Sequence, residues 1–260
     1  MMADSRTDLP PGTETKTYYV NTPSADLMTE TGIGTQALFG QRFELIESKE
    51  GMSRGALLSI IPGIDRIDYI GFLPTSVLSK GNPNPSHLIS AVTAGIFREA
   101  DIKSKLLGSL PRNAAIIGEV EGDFLEVSQV GFIHKNHIRE MTELPKRSYA
   151  AFAADMTNQP YIWGGTGYIG VDCSGLVQSA LAATGADAPR DAGQQEKQLG
   201  RPVDFANRAA GDLLFWLGHV GIVVDGDQLL HANAHHMCVA LEPVEEAVKR
   251  IGSVRTTKRL

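Results

Sequence analysis

The chain has 260 residues, which is longer than one typical domain and allows one or two. Its hydrophobic content of 42% and charged content of 21% are those of an ordinary globular protein, and no run approaches the ~20 apolar residues of a membrane span. The net charge of −6 disfavours binding to nucleic acid or to an anionic membrane.

The beginning of the chain contains few large apolar side chains and many turn formers, and we predict that residues 1–15 are disordered. It also lacks the apolar stretch that a secretory signal requires. The two cysteines, Cys173 and Cys238, cannot make a disulfide framework and suit a reducing compartment. If the sequence starts at the natural methionine, we expect a cytoplasmic protein.

Two segments, 16–79 and 85–143, consist of short apolar runs separated by Gly, Asp and Pro, a pattern typical of short strands. They end on comparable phrases, IGFLPTSVL in the first and VGFIHKNHI in the second. Two tandem copies of one small barrel explain this better than a single irregular domain. The residues between them, KGNPNPSH at 80–87, have the composition of a linker.

The last segment, 146–260, has a different character. We predict helices over 148–156 and 172–183, the second ended by a glycine, and strands after Asp212 at DLLFW, HVGIVV and LLHAN. Helices followed by a run of antiparallel strands are typical of an α+β domain. The basic residues from Lys249 onward are interpreted as a solvated final strand and tail.

Cys173 falls in the first turn of the second predicted helix, after the glycine-rich approach YIWGGTGYIGVD. At a helix start the unpaired amides and the helix dipole favour a thiolate and lower the pKa of the thiol. The same amides can stabilise the oxyanion of a tetrahedral intermediate. The alternative, a small residue that fills a gap in the core, suits a position beside Gly, Asp and Ser less well. We therefore predict that Cys173 is a nucleophile, whereas Cys238, in a strand-like run, is inert core.

Two histidines are candidates for the base. The phrase DGD at 225–227, between two apolar runs, predicts a hairpin in which residues whose numbers sum to about 450–452 lie opposite each other. His219 and His231 then lie on neighbouring strands and on the same face, directly opposite or one diagonal step apart. One ring can accept the thiol proton while the other orients it.

Two alternatives for these histidines stay open. One or both rings could be satisfied core or surface residues. A metal site is the other alternative, although its spacing lacks a second ligand pair of the zinc type. Its candidate ligands are His231, His235, His236 and Cys238.

The phrases YIWGG, DCSGLVQSAL, GHVGIVV and LLHAN resemble, in this order, the motifs of the NlpC/P60 family of cysteine peptidases. The resemblance covers about residues 146–260 and implies a papain-like α+β core. It implies that Cys173 is the nucleophile, that His219 is the base and that His231 orients the base. It further implies that the hydroxyl of Tyr161 lies near the oxyanion site.

Further residues of the same domain are expected to contact substrate. Asp172, Ser174 and Trp163, around the nucleophile, are expected to line the cleft. PRDAGQQ at 189–195 resembles a PRDxxxQ phrase of one subfamily, and this implies that Asp191 binds the free ammonium of an N-terminal L-Ala. Such an ion pair would reject peptides with a blocked N-terminus. The alternative role of Asp191 is a helix cap, and the two roles can coexist.

The two earlier segments resemble bacterial SH3 (SH3b) domains, through DRIDYIGFLPTSVL and VGFIHKNHI. The resemblance implies one SH3b domain at 16–79 and a second at 85–143, ahead of the peptidase domain at 146–260. This order is similar to the cytoplasmic γ-D-glutamyl-L-diamino acid endopeptidases of murein recycling. In that subfamily a tyrosine of the first SH3b domain contributes to substrate binding, and Tyr69 matches it.

The predicted fold is therefore an α+β papain-like domain preceded by two small all-β SH3-like barrels. The predicted function is hydrolysis of the γ-D-Glu–diamino acid amide in small murein peptides with a free N-terminal L-Ala, without a metal or an organic cofactor. Two alternatives are a module that binds polymeric peptidoglycan and a thiol acyltransferase on the same core. The sequence does not distinguish diaminopimelate from lysine, and it does not give the oligomeric state.

Overall fold

The structure, a computed structural model, describes residues 6–81, 84–225 and 227–260. The chain divides into two compact units, one that ends at Leu144 and one that runs from Pro145 to Leu260. Among the described residues, none of the helices combines the length and the apolar character that crossing a membrane takes. Parts of three predicted segments lie outside the described residues: the disordered residues 1–15, the linker 80–87 and the turn 225–227.

Strands make up most of the first unit. Before them, residues 6–15 contain turns at 6–7 and 11–12, and the carbonyl of Arg6 accepts a hydrogen bond from the amide of Ile70 (2.7 Å). In the described residues the strands are β1 (Lys16–Val20), β2 (Ser24–Thr29), β3 (Gly32–Leu38), β4 (Arg42–Lys49), β5 (Met52–Leu58), β6 (Ile67–Pro74), β7 (Leu78–Ser79), β8 (His87–Ile89), β9 (Thr93–Phe97), β10 (Leu106–Pro111), β11 (Ala115–Ile116), β12 (Glu119–Glu121), β13 (Phe124–Val127), β14 (Gly131–His134) and β15 (Ile138–Glu140).

These strands form three sheets. β1 to β7 pair in the order β3-β2-β6-β5-β4-β1-β7, and the later strands pair in the orders β10-β9-β14-β13-β12 and β11-β8-β15. The first sheet buries Leu27, Phe43 and Leu73, and the other two sheets bury Leu125 and Ile133, all at 0% exposure. Each such side chain contributes about 1.5–3 kcal/mol to folding through its removal from water. Each of the two sequence segments therefore has its own hydrophobic core.

The two comparable phrases of the sequence adopt the same succession of elements. IGFLPTSVL runs from β6 through a 3₁₀ turn at Thr75–Val77 into β7. VGFIHKNHI runs from β14 through a 3₁₀ turn at Lys135–His137 into β15. The two similar phrases therefore also form the same order of secondary-structure elements.

The second unit combines four described helices with one sheet. The helices are α1 (Tyr149–Ala154), α2 (Cys173–Ala183), α3 (Ala192–Gln198) and α4 (Val244–Ile251), and the strands are β16 (Arg201–Val203), β17 (Asp212–Trp216), β18 (His219–Asp225), β19 (Gln228–Asn233), β20 (Cys238–Pro243) and β21 (Thr256–Arg259). The helices predicted over 148–156 and 172–183 and the strands predicted at DLLFW, HVGIVV and LLHAN are confirmed.

Helix α2 begins and ends where its sequence signals are. The side chain of Asp172 caps its first turn by accepting a hydrogen bond from the amide of Gly175 (2.7 Å). Gly185, just past the last turn, takes a left-handed backbone with φ of 83°. Every residue of α2 is buried, because the helix packs against α1, α3 and the strands β18 and β19. Its first turn is therefore fixed against the sheet.

The sheet has the order β16-β21-β17-β18-β19-β20, with antiparallel neighbours. Strand β21 lies inside this sheet, between β16 and β17. The expectation of a solvated final strand is wrong, because Thr257 is 3% exposed and the guanidinium of Arg259 donates to both oxygens of buried Asp212 (2.8 and 2.7 Å). An ion pair across the sheet explains the basic residue in this strand.

Candidate active site

Cys173 is the first residue of α2 and is 7% exposed. Its Sγ atom lies 4.0 Å from the carbonyl oxygen of Gly218, and the backbone amide of Val220 donates to it. Gly218 and Val220 flank His219, the first residue of β18. The predicted meeting of the helix start and the histidine strand is therefore present.

The pKa of the Cys173 thiol differs from expectation. Burial raises the pKa of Cys173 to about 11, and the charge of Asp172 adds to the rise, against the opposing amides of Val220 and Ser174 and the charge of Arg190. The expected lowering of this pKa is wrong, because removing the sulfur from water outweighs the field of the helix start. The thiol is protonated at neutral pH, and a base must take its proton as it attacks.

His219 and His231 meet as predicted. The Nε2 atom of His219 lies 2.8 Å from the Nδ1 atom of His231, and the ring centroids are 5.1 Å apart. The strand pairs Ile222↔Leu230 and Val223↔Leu229 fix the register of β18 and β19. In that register the two histidines are diagonal neighbours on one face of the sheet.

Both rings are poor at holding a proton. Burial, followed by the neighbouring His231 ring, lowers the pKa of His219 to about 4. Burial, followed by the charge of Arg250, lowers the pKa of His231 to about 3. The two imidazoles are therefore neutral at pH 7, so that each has one N–H group and one acceptor nitrogen. A neutral imidazole is the form of histidine that can accept a proton.

The pair of histidines continues into a carboxylate that the sequence analysis missed. The Nε2 atom of His231 lies 2.7 Å from Oε1 of Glu242 in β20, and His231 itself is 0% exposed. The guanidinium of Arg250 in α4 binds both oxygens of Glu242. The available signal was Glu242 itself, an isolated acid in the strand-like run CVALEP. Its side chain points toward His231 only because β20 pairs with β19, and the sequence did not predict that pairing.

Asp172 and Ser174, predicted to line the cleft, belong to a buried network around the nucleophile. Both oxygens of Asp172 accept hydrogen bonds from Arg190, at 2.9 and 2.6 Å, and Oδ2 also accepts one from the amide of Gly164 (2.9 Å). The hydroxyl of Ser174 accepts from Arg190 (2.9 Å). Gln195 donates to the carbonyl oxygen of Ser174 (2.9 Å). The Arg and Gln of the PRDAGQQ phrase thus hold the start of α2 in place.

The glycine-rich approach carries Tyr161 and Trp163. A Cβ atom on Gly175 would lie 2.2 Å from the carbonyl oxygen of Gly165, so only glycine lets the approach loop contact the first turn of α2. Burial, followed by the nearby Cys173, raises the pKa of Tyr161 to about 12. The Tyr161 hydroxyl therefore keeps its proton and can donate it in a hydrogen bond. Trp163 is 69% exposed and offers an apolar surface.

The two remaining predicted residues lie in different units. Asp191 is the N-cap residue of α3, but its side chain makes no capping hydrogen bond. Tyr69 lies in β6 and is 7% exposed, packed into the core of the first unit with Leu73 and Phe43. The roles of both in substrate binding stay predictions.

One group of possible metal ligands occurs in the described part of the chain. Donor atoms of His231, His236 and Glu242 lie within 4.8 Å of one another. This group shares two histidines with the metal alternative and replaces His235 and Cys238 by Glu242. Both oxygens of Glu242 already bind Arg250, and a guanidinium repels a metal cation.

The chain is similar to known proteins both in sequence and in fold. The pattern of the NlpC/P60 family matches residues 158–251. The chain is 31% identical over 253 residues to the gamma-D-glutamyl-L-lysine dipeptidyl-peptidase of Bacillus subtilis (strain 168), covering 88% of this chain and 82% of that one. It is 36% identical over 164 residues to dipeptidyl-peptidase 6 of Lysinibacillus sphaericus, covering 56% and 60%. The solved structure of an NlpC/P60 family protein from Bacillus cereus ATCC 10987 shares the fold, with a TM-score of 0.79 at 18% identity over 94% of this chain and 99% of that one.

Proposed function

The chain belongs to the NlpC/P60 family, and on this premise we propose that it is a cysteine peptidase that cleaves the γ-D-Glu–diamino acid bond of small murein peptides. The papain-like α+β fold predicted for its second unit is that of the family. The observation that carries the proposal is the hydrogen bond between His219 and His231, next to the sulfur contact. Gly218, the residue before His219, contacts the sulfur of Cys173. The name of the Bacillus subtilis relative, gamma-D-glutamyl-L-lysine dipeptidyl-peptidase, supports the substrate, and the name of the Lysinibacillus sphaericus relative supports the release of a dipeptide.

The proposed reaction has two halves. His219 takes the proton of the Cys173 thiol while the sulfur attacks the γ-carbonyl of D-Glu. The tetrahedral oxyanion accepts hydrogen bonds from the Cys173 amide and the Tyr161 hydroxyl. The C–N bond then breaks, His219 gives its proton to the leaving amine of the diamino acid, and a thioester remains on Cys173. His219 then takes a proton from water, whose oxygen attacks the thioester carbonyl. The C–S bond breaks, L-Ala–D-Glu is released, and His219 returns the proton to the sulfur of Cys173. His231 holds the His219 ring in position throughout.

Substrate selection is proposed to rest on charge. Asp191 binds the free ammonium of the N-terminal L-Ala, and a peptide with a blocked N-terminus cannot make this ion pair. Trp163 covers the apolar part of the peptide with its exposed indole. The tripeptide L-Ala-γ-D-Glu-L-Lys and its diaminopimelate analogue are the two substrates to compare.

The first unit is proposed to consist of two SH3-like barrels, at 16–79 and 85–143. Two observations support this count: each segment has its own hydrophobic core, and the two segments end in the same order of strand, 3₁₀ turn and strand. We also propose a cytoplasmic location, because the cysteines are free thiols and the substrate class is small recycled peptides.

The test is cleavage of L-Ala-γ-D-Glu-L-Lys and its diaminopimelate analogue by the purified full chain, followed by mass spectrometry. We expect release of L-Ala–D-Glu, loss of turnover in Cys173→Ala and unchanged turnover in the matched control Cys238→Ala. Undiminished hydrolysis by the Cys173→Ala variant would end the proposal. A product joined to an added amine, in place of free L-Ala–D-Glu, would show acyl transfer instead.

A further inference from the structure

Glu242 is a buried acid that the proposed reaction does not yet use. It lies in β20, where Ala240 pairs with His231 and Leu229 pairs with Glu242, so that Glu242 and His231 are diagonal neighbours on one face. Its side chain is 10% exposed. A carboxylate in such a place is costly unless it has partners. Its partners are the ring of His231 and the guanidinium of Arg250.

The direction of the hydrogen bonds follows from the partners of Glu242. A carboxylate paired with a guanidinium is ionised and can only accept hydrogen bonds. Nε2 of His231 must therefore carry the hydrogen in its 2.7 Å contact with Glu242. A neutral imidazole has one N–H group, so Nδ1 of His231 accepts from Nε2–H of His219 at 2.8 Å. The unprotonated nitrogen of His219 is then Nδ1.

We propose that Glu242, held by Arg250, is a positioning residue that fixes the ring protons of His231 and His219 so that Nδ1 of His219 takes the proton of Cys173. The inference rests on the proposed function for its catalytic meaning, whereas the ring protons can be observed without substrate. Arg250 also acts on His231 directly, because its positive charge adds to burial in lowering the pKa of that ring. If His231 were protonated, its Nδ1–H group would donate to His219. The direction of the hydrogen bond between the two rings would then be reversed.

The deciding variant is Glu242→Gln. Its carbonyl oxygen is expected to turn toward Arg250, and its amide group then donates to Nε2 of His231. His231 would carry its hydrogen on Nδ1 and donate to Nε2 of His219, which places the hydrogen of His219 on Nδ1 and blocks the base. We expect kcat to fall by about 10²–10⁴-fold with KM nearly unchanged, as happens when a catalytic histidine is held in the wrong tautomer. Glu245→Gln, an exposed change of the same charge in the first turn of α4, is the matched control.

The readout beyond activity is nuclear magnetic resonance of the full chain with ¹⁵N-labelled histidine. In the wild type and in Glu245→Gln, Nε2 of both His219 and His231 should carry the hydrogen, and in Glu242→Gln Nδ1 of both should carry it. Glu242→Asp keeps a carboxylate and should keep the wild-type ring protons. Wild-type tautomers in Glu242→Gln, or a kcat within threefold of wild type, would overturn the inference. If the wild type cleaves no murein peptide, the proposed function fails, and the ring protons still decide this inference.

Discussion

Arg190 and Asp172 form a buried bidentate ion pair, and Asp172 immediately precedes the candidate nucleophile, Cys173. The two terminal nitrogens of Arg190 lie 2.9 and 2.6 Å from the two oxygens of Asp172, and Arg190 is 1% exposed. The same carboxylate caps α2 through the amide of Gly175 and holds the approach loop through the amide of Gly164. A single ion pair therefore fixes both the helix that carries Cys173 and the loop that leads to it.

Arg190→Ala tests this ion pair. The variant leaves Asp172 as a buried charge without its partner, and we expect the free energy of unfolding to fall by about 3–5 kcal/mol. Urea denaturation followed by circular dichroism measures the loss. Lys197→Ala, an exposed change in α3, is the control and should stay within about 0.5 kcal/mol of wild type. A similar small effect of Arg190→Ala would contradict the structural role of the pair.

Tyr161→Phe tests the proposed hydrogen bond to the oxyanion. Because the Tyr161 hydroxyl keeps its proton, with a pKa of about 12, its removal should cost about 10²–10³-fold in kcat. Steady-state cleavage of L-Ala-γ-D-Glu-L-Lys measures this. Tyr149→Phe is the matched control, because its hydroxyl donates to the carbonyl oxygen of Gly211 (2.5 Å) and has no place in the proposed reaction. Equal kcat values in the two variants would remove Tyr161 from the reaction.

Asp191→Asn tests the selection for a free N-terminus. Loss of the carboxylate should lower kcat/KM for the free peptide by about 10²-fold, because an ion pair to the ammonium is lost. The N-acetylated peptide, already a poor substrate, should be cleaved by the variant at the wild-type rate. Asp204→Asn changes another N-cap acid in the same unit and should alter neither rate. If the wild type cleaves the free and acetylated peptides equally well, the role of Asp191 is wrong.

The two buried imidazoles predict a loss of stability in acid. An unfolded histidine takes up a proton near pH 6.5. The pKa is lowered to about 4 in His219 and to about 3 in His231, so the folded rings stay neutral until the pH is much lower. The stability that these neutral rings contribute is full above pH 6.5 and is lost progressively as the pH falls from 6.5 to about 4 for His219 and to about 3 for His231. We expect the free energy of unfolding to drop by about 2 kcal/mol per ring between pH 7 and pH 4.5.

Urea denaturation at several pH values measures this dependence of the free energy of unfolding on pH. His231→Asn should remove about half of it, whereas His235→Asn, an exposed change, should leave it intact. An unchanged slope in His231→Asn would mean that the acid sensitivity arises elsewhere in the chain.

Local signals made the main parts of the site predictable. The cap at Asp172, the apolar run after Cys173 and the glycine past its end define α2 within a few residues. The turn signal at 225–227 predicts that His219 and His231 lie on one face of neighbouring strands, directly opposite or one diagonal step apart, and the register of β18 and β19 selects the diagonal placement. Roles that depend on short-range pattern were therefore accessible from the sequence.

Properties that depend on distant packing were not accessible in this way. The pKa of Cys173 rises because other elements cover the sulfur, and no feature of its own motif indicates that cover. Glu242 reaches His231 only through the pairing of β20 with β19. Arg250 was interpreted as part of a solvated basic end, and its ion pair with Glu242 needs the turn from β20 into α4.

The position of β21 has a consequence for how the second unit is made. Strands β17 to β20 are neighbours both in sequence and in the sheet, so they can pair one after another as the polypeptide leaves the ribosome. Residues 256–259, which are synthesised last, must then pair between β16 and β17, two strands that are synthesised much earlier. Until they do, one flank of β17 exposes unpaired backbone groups, and a nascent chain stalled before residue 256 would be prone to aggregate through that flank.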